Sequence, residues 1–430
     1  MTSINYHLKA IRVGGVPILG RKIQTLFMRI LAFLFLSLNS VWAILGVLII
    51  RSLRPWRIIR LGTLKSNRIG HLVADSGHQW AMIQQQSKKI LDLYWLDWSR
   101  QAMVNDFWIK MIRRNFTICL LFWPLDFWNQ ILPGGEIHHR PTSITGSRDI
   151  HGYLEHAEET MRFLPDEDKD AKAWMRLQGW QDGDPFVCLL VRDNQYLQSD
   201  PQHIWRLESQ KDFWHYQKYR DSDIATYEPA AEWLANQGVW VFRMGKIMGK
   251  SISSNHPRII DYAFHPDRSD FLDVWLFAHC NLCITTGVGP DMISDVYRRP
   301  ILALNFLPLS YSFSWSDAMH LPKTLVWQET GVPLTLKEHL DNNYLQTEQY
   351  IQAGIQIIDL TPEEILSAVQ ERWQRIQGTW VDSEDDIARH QRFWNVLKSH
   401  QDFDKYHGWV HPEARGGALW LRSMGEEFFS

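Results

Sequence analysis

Phe186-Val-Cys-Leu-Leu-Val-Arg192-Asp193 decides the fold: an apolar run of strand length ends abruptly in a cation and an anion. Further on, Leu282-Cys-Ile-Thr285 runs into Thr286-Gly287-Val-Gly289-Pro290 and a helical pattern. A buried strand that delivers Arg192 at its carboxyl end fixes a bidentate fork beside the crevice where α/β sheets take ligands. A Thr/Gly turn opening a helix presents backbone N–H groups and the positive end of a dipole to an anion. Together they predict a diphosphate site built from Arg192, Asp193, Thr285, Thr286, Gly287 and Gly289.

Outward from this stretch the alternation continues. Pro229–Gln237 reads as a helix with Pro near its start and Gly238 past its end, followed by the strand Val239-Trp-Val-Phe242. That strand ends in Arg243-Met-Gly245-Lys246, so Arg243 and Gly245 join the candidate donor side. Ile259-Ile260 is a short strand before Asp261, an acid suited to a ribose or base. Asp270–Ala278 and Asp291–Arg298 read as helices and Ile301–Asn305 as a strand. Strands alternating with helices imply βαβ units and a parallel sheet. Thr361-Pro-Glu-Glu364 starts a further helix. Upstream, Pro165–Asp170 reads as a charged loop before a helix at Ala171–Leu177, and the turn-rich Gly179–Pro185 marks a domain junction.

Toward the N-terminus, Trp56–Leu61 reads as a strand, followed by the polar turn Ser66-Asn67-Arg68 and a helical pattern from Leu72. This is the opening unit of a Rossmann-like domain. Ile90–Trp95 fits a strand or a short helix. Phe116–Trp128 is too short to span a bilayer and fits a core strand or a membrane-surface contact. The expected domains are an N-terminal segment 1–55, a Rossmann-like acceptor domain 56–178, a Rossmann-like nucleotide domain 179–380 and a helical tail 381–430.

With 45% hydrophobic and 22% charged residues the 430-residue chain is globular, and a net charge of −3 gives no support to nucleic-acid binding. Ile30 to Ile50 carries no charge, close to the ~20 residues that cross a bilayer. Arg21, Lys22 and Arg29 precede the run and Arg51, Arg54, Arg57 and Arg60 follow it, so charge does not set its orientation. Asn39 in mid-run suits a bent, re-entrant hairpin as well as a single span. The 22 Trp residues suggest broad aromatic packing. Cys280-x-x-Cys283 lacks a second pair and reads as buried thiols, and neither His138-His139 nor His151 with His156 has metal-ligand spacing.

Arg68, Gly70 and His71 stand at a helix N-terminus on the expected acceptor side. His71 suits a general base toward a hydroxyl, because its ordinary pKa lies near working pH. A capping or packing histidine is the plain alternative, as a loop-tying ion pair is for Arg192.

Arg68-Ile-Gly-His71, Val187-Cys-Leu-Leu-Val-Arg-Asp193 with Tyr196, Tyr219-Arg220-Asp-Ser-Asp223-Ile-Ala-Thr-Tyr227 and Val239-Trp-Val-Phe-Arg-Met-Gly245 resemble, in this order, a family of bacterial glycosyltransferases. Ile260-Asp-Tyr-Ala263 and Ser269-Asp-Phe-Leu-Asp273 continue the series, which covers most of Ile58 to Pro308. The strand-end Arg192 is also similar to the donor-diphosphate arginine of fucosyltransferase-like enzymes. The resemblance implies a GT-B-like α/β fold with two Rossmann-like domains facing a cleft. It also implies metal-independent transfer from a nucleotide-sugar, used as substrate with no cofactor, to a surface-glycan or lipid-linked acceptor. The setting implied is the bacterial inner membrane, with catalytic domains on the cytoplasmic face. One departure stands out: the family's small-residue loop commonly carries Ser, whereas here it reads Thr286-Gly-Val-Gly-Pro290. A non-catalytic scaffold retaining the fold is the alternative, and a sugar-nucleotide epimerase is disfavoured because no dinucleotide fingerprint exists.

Overall fold

The computed structural model describes residues 3–64, 68–96, 104–143, 145–199 and 215–430. Ser66 and Asn67 of the polar turn predicted after the first strand lie outside them. The chain divides into two compact units, Met1–Ser147 with His156–Phe163, and Arg148–Glu155 with Leu164–Ser430.

The first unit opens on a helix, Ser3–Ser52, broken only by the left-handed backbone of Gly15. It runs through Asn39 without a bend, because the Asn39 amide donates to the Phe35 carbonyl at 2.7 Å and its oxygen accepts from Trp42. The hairpin alternative is therefore not the backbone this sequence adopts. Lys22–Ser52 is the one helix among the described residues long and apolar enough to cross a membrane. Strands β1 (Ile58–Leu64), β2 (Ile90–Leu96) and β3 (His139–Arg140) form a parallel sheet in the order β2-β1-β3, with the helix Ile69–Gln85 following β1. Ile90–Leu96 is thus a strand, held in register by Arg60, whose guanidinium grips the carboxylate of its cross-strand partner Asp92 at 2.6 and 2.8 Å.

Phe116–Trp128 is not a core strand. Phe122–Ile131 is helical, and it packs Leu125 against Ala43, Val47 and Ile50 of the first helix. Pro124 sits in the first turn, where its missing N–H costs nothing.

The second unit carries β4 (Phe186–Leu190), β5 (Trp240–Arg243), β6 (Ile259–Ile260), β7 (Leu282–Thr285), β8 (Ile301–Leu304) and β9 (Ala318–Leu321). A two-stranded antiparallel pair, β10 (Thr324–Trp327) and β11 (Ile355–Ile358), lies apart, and β12 (Arg415–Gly416) closes the list. The main sheet has the order β12-β9-β8-β7-β4-β5-β6, parallel throughout. The chain moves from β4 to β5 and β6 on one side, then returns to β7 on the other. The strand order reverses between β4 and β7, the place where open α/β sheets bind ligands. The fold is thus α/β, with a parallel sheet in each unit.

Two predicted elements differ in extent. The acids of Pro165–Asp170 belong to the first turn of a helix, Pro165–Leu177, started by Pro at N1 and by Glu167 accepting the Leu164 N–H. The helix after β7 is short, a 3₁₀ turn at Gly289–Asp291 followed by Met292–Val296, and it stops before Arg298, whose φ is +54°. The start at Thr361 stands, since its hydroxyl accepts the Glu364 N–H and Glu364 accepts the Thr361 N–H.

The tail is built into this unit. Glu371 on the helix Pro362–Ile376 accepts the Ala418 and Leu419 N–H groups at 2.9 and 3.1 Å, capping the helix Ala418–Met424. Burial pushes the pKa of His320 down to about 3 and those of His339 and His407 to about 4. All three lie below the ordinary value near 6.5, so the unfolded chain binds more protons in acid, and the stability they contribute is complete above about pH 6.5 and lost as pH falls toward 4. His339→Leu removes one of these groups, whose Nδ1 has no hydrogen-bond partner. Its melting temperature is expected to drop less than the parent's between pH 7.5 and pH 5, as differential scanning calorimetry would measure.

Candidate functional site

At the β4–β7 switch point the predicted residues meet, but they face one another. Arg192 donates its backbone N–H to Thr286 Oγ1 at 3.0 Å, which ties the two strand tips together. Its guanidinium donates to Asp221 Oδ1 at 3.2 Å and Gln217 Oε1 at 2.7 Å. Burial, followed by the nearby Arg220, lowers the Arg192 pKa, while burial raises that of Asp221. The glycine turn is closed on itself as well. Thr286 N–H goes to Leu190 O, Gly287 N–H to Thr285 Oγ1, and Val288 N–H to Asp291 Oδ2. The Thr285 hydroxyl also donates to Asp291, and Arg220 donates to the Gly287 carbonyl. Asp291 is buried and its pKa is pushed up to about 7. The chain's own carboxyl oxygen thus takes the place expected for a ligand anion. Gly287 is required for space: φ is +75°, and a Cβ would stand 2.5 Å from the Phe306 ring. Gly289 opens the 3₁₀ turn.

Beside this point, at the carboxyl ends of β4 and β5, lies a cavity of about 570 Å³. Val191, Asp193, Asp221, Arg243, Lys250, Lys323 and Asp359 are among its walls. Arg243, the last residue of β5, is only 1% exposed. Its Nη2 donates to the Lys250 carbonyl at 2.7 Å, but Nε and Nη1 have no hydrogen-bond partner among the described residues. Asp261 stands 3.7 Å from Nη1, and the guanidinium lies over the Phe264 ring at 5.5 Å. Burial lowers the Arg243 pKa and raises that of Asp261. A buried donor left without an acceptor costs about 1–3 kcal/mol, more when charged.

Asp193 is spent on local structure, accepting from Gln195 N–H at 3.0 Å and Gly249 N–H at 2.8 Å. Gly245 permits the chain to pass Met248, which a Cβ would meet at 2.5 Å. Ser269 caps the helix Asp270–His279 and Asp273 pairs with Arg268 at 2.7 Å, so that stretch is structural.

Lys323 was missed from the sequence. Its Nζ, almost wholly buried, contacts Asp359 at 2.7 Å and the Asp221 carbonyl at 2.6 Å, and burial lowers its pKa. It follows β9, so the strand-tip rule that singled out Arg243 points to it too. Lys250, paired with Asp223 at 2.7 Å, carries no such signal.

In the first unit, Arg68 is the N-cap of the helix Ile69–Gln85 and makes no side-chain cap; Gly70 and His71 lie in its first turn, which carries no acid. His71 Nδ1 is 2.7 Å from Ser147 Oγ, which lies 2.9 Å from Asp75 Oδ1. Ser147 has one hydroxyl proton and gives it to Asp75, so His71 Nδ1–H donates to Ser147 and the neutral ring carries its lone pair on Nε2. Ser147 holds a left-handed φ of +63°, a local strain of the kind found at functional sites. The link between residues 71 and 147 leaves no periodic trace in the sequence.

No family model matches the chain, and no curated protein matches it. Among solved structures it is similar to a glycosyl transferase family 9 protein from Veillonella parvula, with 10% identity, coverage of 74% of this chain and 98% of that one, and a TM-score of 0.41. It is also similar to E. coli ADP-heptose LPS heptosyltransferase II (11% identity, 74% and 100% covered, TM-score 0.35). The ADP-bound E. coli heptosyltransferase is a third (10% identity, 74% and 99% covered, TM-score 0.34).

Proposed function

We propose that the chain is a glycosyltransferase that takes its sugar from a nucleotide-sugar and passes it to a surface-glycan or lipid-linked acceptor, held at a membrane by its N-terminal helix. One observation carries this reading: Arg243 Nε and Nη1 are buried at the wall of the cavity beyond β4 and β5 with no hydrogen-bond partner among the described residues. Diphosphate oxygens there would give these donors acceptors, with Lys250 and Lys323 supplying further positive charge. Cationic side chains can stabilise a leaving diphosphate without a metal. Arg192 then acts as a positioning residue, through Asp221, and the Thr285–Gly289 turn as a rigid wall. On the acceptor side, His71 takes the proton of the attacking hydroxyl through Nε2. The ordered motif resemblance supports the same class.

The test is calorimetric titration of the full chain, in detergent, with UDP, GDP, ADP, CMP and their sugar conjugates. At least one is expected to bind and to release its nucleotide when a glycan acceptor is present. If none binds, the reading is lost. The closed glycine turn favours the second reading, a scaffold that binds nucleotide without turnover. Binding with no transfer to any acceptor, in a host whose glycan is unchanged by Arg243→Met, would select it.

A further inference from the structure

We infer that Thr117 to Leu132 enters the lipid bilayer beside the N-terminal helix, so that the first unit is seated within the membrane's apolar layer. This rests on the anchor reading above. Three observations carry it.

The first is axial register. Trp123 stacks on Phe35, with ring centroids 5.6 Å apart at 12°, and Leu125 packs with Ala43, Val47 and Ile50. At the other end, Arg51 donates to the carbonyls of Asn129, Leu132 and Pro133. Helix Phe122–Ile131 therefore runs in the same direction as Phe35–Arg51 beside it, and its 10 residues rise about 15 Å at ~1.5 Å per residue. That is about half of a hydrocarbon core of about 30 Å. If the charge-free run Ile30 to Ile50 lies in acyl chains, its partner lies there too.

The second is inverted polarity. Asp126 and Asn129 are buried: Asp126 accepts from Trp95 and Gln130 at 2.9 Å each, and Asn129 accepts from Arg51 and donates to the Gly135 carbonyl. Leu120, Leu121, Phe127 and Ile131 are exposed, Leu121 to 49% and Ile131 to 53%. In water that arrangement forgoes roughly 25 cal/mol per Å² of apolar surface, whereas in lipid it is the required one. The turn leading in is also suited to lipid, with Cys119 N–H bonded to Tyr94 O, Phe122 N–H to Cys119 O and Trp123 N–H to Leu120 O.

The third is the boundary. Immediately after the apolar run come Arg51, Arg54 and Arg57, with Trp56 exposed to 73%. An indole among arginines marks the headgroup level, so the acyl layer lies on the side where Leu120 and Leu121 stand.

The test uses the full chain in phosphatidylcholine–phosphatidylglycerol vesicles. An environment-sensitive fluorophore is placed on Leu121→Cys or on Leu38→Cys, each in a Cys119→Ser background whose remaining cysteines are buried. Bromine-labelled acyl chains report depth. Quenching of both labels to a comparable extent is the expected result. Quenching at Leu38→Cys alone overturns the inference and leaves the anchor standing, and quenching at neither overturns both. A blue-shifted label at Leu121→Cys that bromolipid fails to quench means that a second copy covers the patch, which also overturns it.

Discussion

Arg243→Met is expected to weaken nucleoside-diphosphate binding by about 10- to 100-fold, the equivalent of one charge-assisted hydrogen bond at about 1.5–3 kcal/mol. The same variant is expected to melt no earlier than the parent near pH 6. The guanidinium has two buried donors without partners, and a methionine stem fills its volume without that desolvation cost. Asp261 loses its neighbour at 3.7 Å but keeps the Ile252 N–H at 3.0 Å. Arg192→Met provides the contrast. It strands Asp221 and Gln217, so its melting temperature should fall more than its affinity. Calorimetric titration and thermal melts of the two variants separate the roles. Full loss of binding in Arg192→Met, with Arg243→Met unaffected, would move the anion to the β4–β7 side and remove the basis of the proposed donor site.

The contrast between these arginines also marks how far the sequence could be read. Strand tips were legible because an apolar run that stops at a charge has one economical explanation, and the runs at 186–191, 239–242, 259–260, 282–285 and 301–305 all became parallel strands of one sheet. What a tip residue touches was not legible. Arg192 meets Asp221 and Gln217 from a segment some 25 residues on, and Asp291, three residues past Val288, closes the turn. Both are side-chain choices among competing partners, settled by packing. The helix Phe122–Ile131 escaped because periodicity rules assume apolar residues turn inward, and here Asp126 and Asn129 do so instead. Lys323 escaped because Pro322 separates it from its strand, although it obeys the rule that found Arg243.

His71→Ala is expected to lower the transfer rate by about 10²- to 10⁴-fold with little change in donor affinity, the ordinary contribution of a positioned general base. Ser147→Gly distinguishes a positioned base from a capping histidine. Glycine adopts the φ of +63° freely, and relief of about 1 kcal/mol from a left-handed backbone offsets about half of the roughly 2 kcal/mol carried by the hydroxyl's two bonds, from His71 and to Asp75. Stability should therefore fall by only about 1 kcal/mol. Without the hydroxyl, the Ser147 hold on the Nδ1 proton is lost, and a neutral ring protonated on Nε2 cannot accept from the attacking hydroxyl there. A rate loss of about two- to fivefold, with a melting temperature only a few degrees below the parent's, is the expected outcome, since the competing tautomer is comparable in energy. A rate that stays at the parent's value in both variants would make the chain of three a structural tie, and the base would have to be sought elsewhere.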